Sequence, residues 1–238
     1  MNNQAPLPLP ISLSPYEQDE IQRGFITRVY AWMALGLFVT AAAALVTVMT
    51  PGLLMLIVTN TMLFFGLLLA ELIVVIALTA AINRLAPAVA GLAFVFYAAL
   101  NGVTLSILMM VYTSSSIAET FVIAAATFGV MTIFGLTTHW DLTRFGSLLF
   151  MALFGLILAT VFNLFFQNPA VYWITTYAGI LIFIGLIAYD TQKLKNMSLA
   201  VGADGEVSRK ASIMGALALY LDFINLFLLL LRIFGRRK

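Results

Sequence analysis

Three carboxylic acids stand inside stretches otherwise apolar enough to lie in a bilayer: Glu71 in "GLLLAELIVVIAL", Asp190 in "LIAYDTQKLK" and Asp222 in "ALALYLDFINLFLLLL". A carboxylate at the middle of a membrane span costs about 2.5 to 3.5 kcal/mol on insertion scales. Such acids mark proton relays, ion pathways or hydrogen bonds inside a bundle. Asp222 lies about ten residues from either end of its apolar run, and its side chain is too short to snorkel to the interface. Gly215, Ala218, Asp222 and Asn225 recur at helical spacing, so one face of this helix is small and polar while Leu, Phe and Ile cover the rest. That face must look into a bundle. Asp190 also reads as an interfacial residue beside Lys193, and Glu71 also reads as hydrogen-bonding glue between helices.

The elements that position these acids follow from composition. Hydrophobic residues make up 63% of the 238 and charged residues 9%, and the mean hydropathy is +1.06. Soluble domains run near 45 to 50% apolar and about 25% charged, so the chain reads as an all-α integral membrane protein. At about 20 residues per span, apolar windows fall at 29 to 49, 62 to 82, 88 to 111, 117 to 137, 145 to 166, 171 to 191 and 212 to 234. Seven spans and short loops leave room for one membrane domain, residues 23 to 238. The stretch "PGLLMLIVTNT" either extends the second span or lies at the interface. Residues 1 to 22 carry four prolines and three acids without a base, which predicts a flexible cytosolic tail rather than a signal peptide.

Lys and Arg near span ends are retained on the cytoplasmic side. Arg23, Arg28, Arg84, Arg144, Lys193, Lys195, Arg209 and Lys210 all fall on one side of a seven-span arrangement, whereas "TPG", "TSSSIAE" and "QNPA" carry no base. The amino terminus is therefore expected inside. Arg232, Arg236, Arg237 and Lys238 oppose the rule if the seventh segment crosses fully, and the alternative is a re-entrant segment. A full span is expected, because six earlier spans already set the orientation.

Several chemistries lack their residues. There is no cysteine, which removes disulfides and thiolate catalysis, and His139 is the one histidine, which removes the two-histidine zinc motif. Every lysine lies outside the spans, so no retinal Schiff base can form on the seventh. No glycine-rich nucleotide loop is present and nothing points to nucleic acid. The chain does not read as an enzyme with a resident cofactor.

"AYDTQKLK" at 188 to 195, followed by "GALALYLDFINLFLLLLRIFG" at 215 to 235, resembles the signature of the Bax inhibitor family, the transmembrane Bax inhibitor motif proteins, in a bacterial form. The resemblance implies a seven-helix bundle with the last helix central, placed in a bacterial inner membrane, and a pH-sensitive leak of calcium ions. Carried over, the family's paired aspartates fall on Asp190 and Asp222, which would be both proton sensor and calcium site. Arg84, just after the second span, corresponds to the arginine that latches onto the aspartate of helix six, although a positive-inside anchor accounts for it equally well. Glu71 and Asn225 stand as supporting polar residues.

Spacing alone does not pair the aspartates. Asp222 lies about 18 Å along its helix from Lys210 at 1.5 Å per residue, whereas Asp190 is three residues from Lys193. Contact requires span six to continue past its apolar end or span seven to begin deeper in the cytosol. Once in contact at low dielectric, two carboxylates share a proton. Calcium prefers six to eight oxygens, so carbonyls and water would complete the shell. Two other readings stay open: a scaffold acting on a membrane protease or a death regulator, and an intramembrane aspartyl protease. The second is the weaker, since "LYLDF" lacks a Gly-x-Gly-Asp context and no Pro-Ala-Leu element follows.

Overall fold

Helix starts are written locally in this chain. Pro15, Pro51, Pro87 and Pro169 each open a helix, where the missing N–H costs nothing. Ser14 and Glu17 form a reciprocal capping box, with Ser14 N donating to Glu17 Oε2 at 2.7 Å. Asn60, Thr113 and Asn168 cap with their side chains. The computed structural model describes residues 14 to 202 and 205 to 238. Over them the helices are α1 (Pro15–Met49), α2 (Pro51–Thr59), α3 (Thr61–Ala81), α4 (Pro87–Leu105), α5 (Leu108–Val111), α6 (Ser114–Thr137), α7 (Thr143–Phe166), α8 (Pro169–Val201) and α9 (Glu206–Phe234).

Seven helical stretches are long and apolar enough to cross a membrane, with α4 and α5 together making the third. The protein is an all-α membrane bundle of seven candidate spans. "PGLLMLIVTNT" contributes a separate short helix, α2, bounded by Thr50 and Asn60, whose backbones leave helical geometry. The expected tail needs correction where it is described: residues 15 to 22 are the first turns of α1, stabilised by the Ser14 cap. Residues 1 to 13 of that tail lie outside the described residues.

α9 packs against α8, α1, α6 and α4, and most of its residues are buried. α1 packs on α4 and α6 on α8. α3 and α7 sit at the periphery, on α4 and α8 respectively, with most of their surface outward. One face of the bundle, called here the N face, brings Asp19, Arg23 and Leu136 together with Lys195. The opposite C face carries the start of α6 beside the end of α9, where Thr113 N donates to Arg236 O at 2.9 Å and Lys238 N to Val111 O at 3.0 Å. The last helix therefore runs from one face of the bundle to the other.

Close helix approach depends on two glycines. A Cβ on Gly135 would stand 2.5 Å from the Ala188 carbonyl oxygen, and one on Gly102 would collide with the Thr40 carbonyl and Ala43. Small residues let backbones meet where no hydrophobic force distinguishes helix from lipid. Gly102→Ala is expected to cost about 1 to 3 kcal/mol through overpacking at α1 and α4. The check is a lowered thermal transition in detergent; an unchanged transition would show that α1 gives way freely.

Candidate functional site

Both conditions for pairing the aspartates are met. α8 continues past residue 191 to Val201, and α9 begins at Glu206 rather than 212. The antiparallel helices thereby bring Asp190 and Asp222 level, and both line the same cavity. Asp222 is only 6% exposed. Its Oδ2 finds no donor among the described residues. Two acceptors cannot bond each other, so a direct contact between the two carboxyl groups would need a proton on one of them.

The pair lines one side of a cavity of 540 Å³ between α7, α8 and α9. Lys193 lies toward the N face, its Nζ 5.8 Å from the Tyr189 ring centre, and it is the cation whose field reaches Asp190. Asn225, three residues beyond Asp222, also lines the cavity, and its Nδ2 donates to Leu221 O at 2.8 Å. Thus Asp190, Asp222 and Asn225 share one chamber. No group of three or more His, Asp or Glu side chains gathers among the described residues. A cation at the pair would therefore draw further oxygens from Asn225 or water.

Arg84 is placed elsewhere. It is exposed in the turn between α3 and α4, and no ion pair joins it to Asp190 among the described residues. That turn instead meets the start of α9, where Lys210 Nζ donates to Asn83 O at 3.4 Å. The latch contact is not made in this conformation.

Glu71 belongs to a different cluster. It is 8% exposed and accepts from Thr104 Oγ1 at 2.5 Å and Asn101 Nδ2 at 3.3 Å, both on α4. Tyr220 of α9 donates to Asn101 Oδ1 at 3.3 Å, and its hydroxyl lies 2.7 Å from Thr40 Oγ1 on α1. Glu71 does not support the aspartate pair. It fastens α3 to α4, and Tyr220 carries the network to α1 and α9. Sequence reading missed Tyr220, Thr40 and Thr104. The signal was present: two residues before Asp222 puts Tyr220 about 200° around the helix, facing other partners. Tyr220→Phe should lower the thermal transition, by about 1 to 2 kcal/mol for a lost buried hydrogen bond. It should leave pH responses unaltered; a shifted pH response would join the two clusters into one site.

The opposing bases at the chain end are held by the protein. Arg236 Nη2 pairs with Glu119 Oε1 at 2.7 Å, Lys238 Nζ donates to Met109 O at 2.6 Å, and the Arg232 guanidinium lies 5.2 Å from the Tyr172 ring centre.

A seven-span bundle with two facing aspartates on its last two helices defines a class, and sequence comparison agrees with it. The chain belongs to the Bax inhibitor family: it matches the family described as "Inhibitor of apoptosis-promoting Bax1" over residues 22 to 238. It is 48% identical over 215 residues to "Inner membrane protein YbhL" of Escherichia coli (strain K12), covering 90% of this chain and 92% of that protein. An "Uncharacterized protein" of Borreliella burgdorferi is 39% identical over 218 residues, covering 92% and 94%. "Uncharacterized membrane protein SpyM3_0260" of Streptococcus pyogenes is 35% identical over 224 residues, covering 93% and 96%.

Proposed function

We propose that this protein is a pH-sensitive cation leak, carrying calcium across a bacterial inner membrane, with Asp190 and Asp222 as proton sensor and cation site. The observation that carries the reading is the placement of both aspartates, Asp222 buried, on the wall of one chamber large enough for water or a cation. Such a pair carries one negative charge when it shares a proton and two when it does not, so losing the proton strengthens its pull on a cation.

The proton and Arg84 compete for that charge. With the pair deprotonated, Arg84 swings to Asp190, ties the inner end of α3 toward α8 and closes the path. With a proton on the pair, the attraction is weakened and α3 stays apart, as in the arrangement described above. The open state holds one more proton than the closed state. Its population must therefore rise as pH falls, by up to about tenfold per pH unit for one linked proton. Flux measured on purified protein in vesicles tests this directly.

A hydrolytic reading is served less well. α8 and α9 run as continuous helices through the aspartates, so their backbone groups are already paired and offer no edge to an unwound peptide. A non-enzymatic scaffold for a membrane protease or another membrane protein would show no flux at any pH. The inner-membrane location follows the name of the Escherichia coli relative. The orientation follows the eight bases expected inside. A reporter fused after Lys238 should behave as extracytoplasmic and one fused before residue 14 as cytoplasmic; cytoplasmic signals from both would contradict the full crossing of α9.

A further inference from the structure

Between Ala211 and Leu231, α9 is buried on every side but one. The positions left partly open are Ala211, Met214, Ala218, Leu221, Asn225 and Leu228, spaced three and four apart, a single stripe along the helix. From Ala218 onward this stripe lines the 540 Å³ cavity, and Arg232 continues it at the C face. The facing wall is aliphatic and aromatic, with Leu153, Leu156, Ile157 and Val161 of α7. α7 packs on α8, leaving a crevice between α7 and α9. From Ala218 to Arg232 the crevice runs about 21 Å, well over half of a hydrocarbon core of about 30 Å.

At the C face the crevice continues into a second, polar cavity through the shared residues Thr160, Thr175 and Arg232. Asn163, Gln167, Asn168 and Arg237 line it, and no carboxylate does. Neither Arg232 nor Arg237 has an ion-pair partner among the described residues. A slot lined mostly by apolar side chains and ending in two guanidinium groups without an ion-pair partner among the described residues has the polarity of an amphiphile with a negative head.

We infer that this crevice binds an anionic phospholipid, one acyl chain lying along the α9 stripe and the phosphate held by Arg232 and Arg237 at the C face. The chain end reaches the level of Asp222, so the lipid would occupy the arm of the chamber between the aspartate pair and that face. Lipid here needs no leak to be present, and its binding is measurable on protein that conducts nothing.

The test compares phosphatidylglycerol with phosphatidylcholine of identical acyl chains on the full chain in detergent, by native mass spectrometry. Phosphatidylglycerol should be retained about tenfold or more tightly, because two basic residues near an anionic head both favour it. Arg232→Gln with Arg237→Gln should reduce it to the phosphatidylcholine level, and Leu228→Trp, which fills the arm between Asp222 and Arg232, should displace both lipids. Equal retention in the unaltered protein, or a preference that survives the double substitution, overturns the inference. Since the chain has no cysteine, Val161→Cys offers a second measurement that does not depend on the Leu228→Trp protein folding. Phosphatidylglycerol should protect that thiol from a membrane-permeant maleimide and phosphatidylcholine should not. No protection by phosphatidylglycerol, or protection by glycerol phosphate alone, would remove the acyl chain from the crevice and refute the site.

Discussion

Asparagine in place of Asp222 is expected to leave a folded bundle whose cation leak no longer follows pH. The amide keeps the volume of the carboxyl group, and its NH2, in place of the orphaned Oδ2, can donate to Asp190 at every pH. Stability should be unchanged or slightly improved, because a buried group that required a proton is now satisfied at every pH. What disappears is proton linkage. Unaltered protein should change its flux by up to about tenfold per pH unit within the titration window, and the Asp222→Asn protein by less than about twofold. Asp190→Asn should give the same flat profile, since either substitution leaves a single carboxylate. A normal pH profile in a folded Asp222→Asn protein would remove the pair from the mechanism, and a phenotype in only one of the two variants would return Asp190 to an interfacial role beside Lys193.

The second large effect is expected at Arg84. Removing its guanidinium takes away the cation that competes with protons for the pair, so the closed state loses its tie while the aspartates and their chamber stay as they are. Arg84→Ala should leak at neutral and alkaline pH at the level the unaltered protein reaches only in acid, with little further rise on acidification. If protons instead merely displace calcium from the carboxylates, flux falls on acidification and Arg84→Ala behaves like the parent. Because Arg84 is exposed and makes no ion pair among the described residues, its loss should not disturb folding, which keeps the two outcomes separable.

The seven spans were legible because lipid demands about 20 apolar residues of each crossing, and those windows survive in the structure. Helix ends were not, for a physical reason. The last turns of α8 carry Gln192, Lys193 and Lys195, and the first turns of α9 carry Ser208, Arg209 and Lys210; such residues leave the apolar window without leaving the helix. Leu194, Ser198, Ser208 and Ser212 are nonetheless buried, and Gln192 holds the α6–α7 loop by accepting from Leu142 N and donating to Trp140 O, each at 2.8 Å. Helices packed beyond the apolar zone are what bring Asp190 level with Asp222, so the pairing could come only from family resemblance. Glu71 was legible as an intramembrane acid with two readings, and its bonds to Asn101 and Thr104 place it in the one concerned with helix packing. That α9 is long and apolar enough to span followed from its apolar window, whereas the Glu119 partner of Arg236, 117 residues away in sequence, had no local signature.

The most direct test of a proton-gated leak is calcium flux in proteoliposomes containing only the purified protein, followed across a pH series against empty liposomes. The account predicts a leak above the empty-liposome level that rises as pH falls and flattens once the aspartate pair is fully protonated. Flux indistinguishable from empty liposomes at every pH, or a leak that falls on acidification, would contradict it.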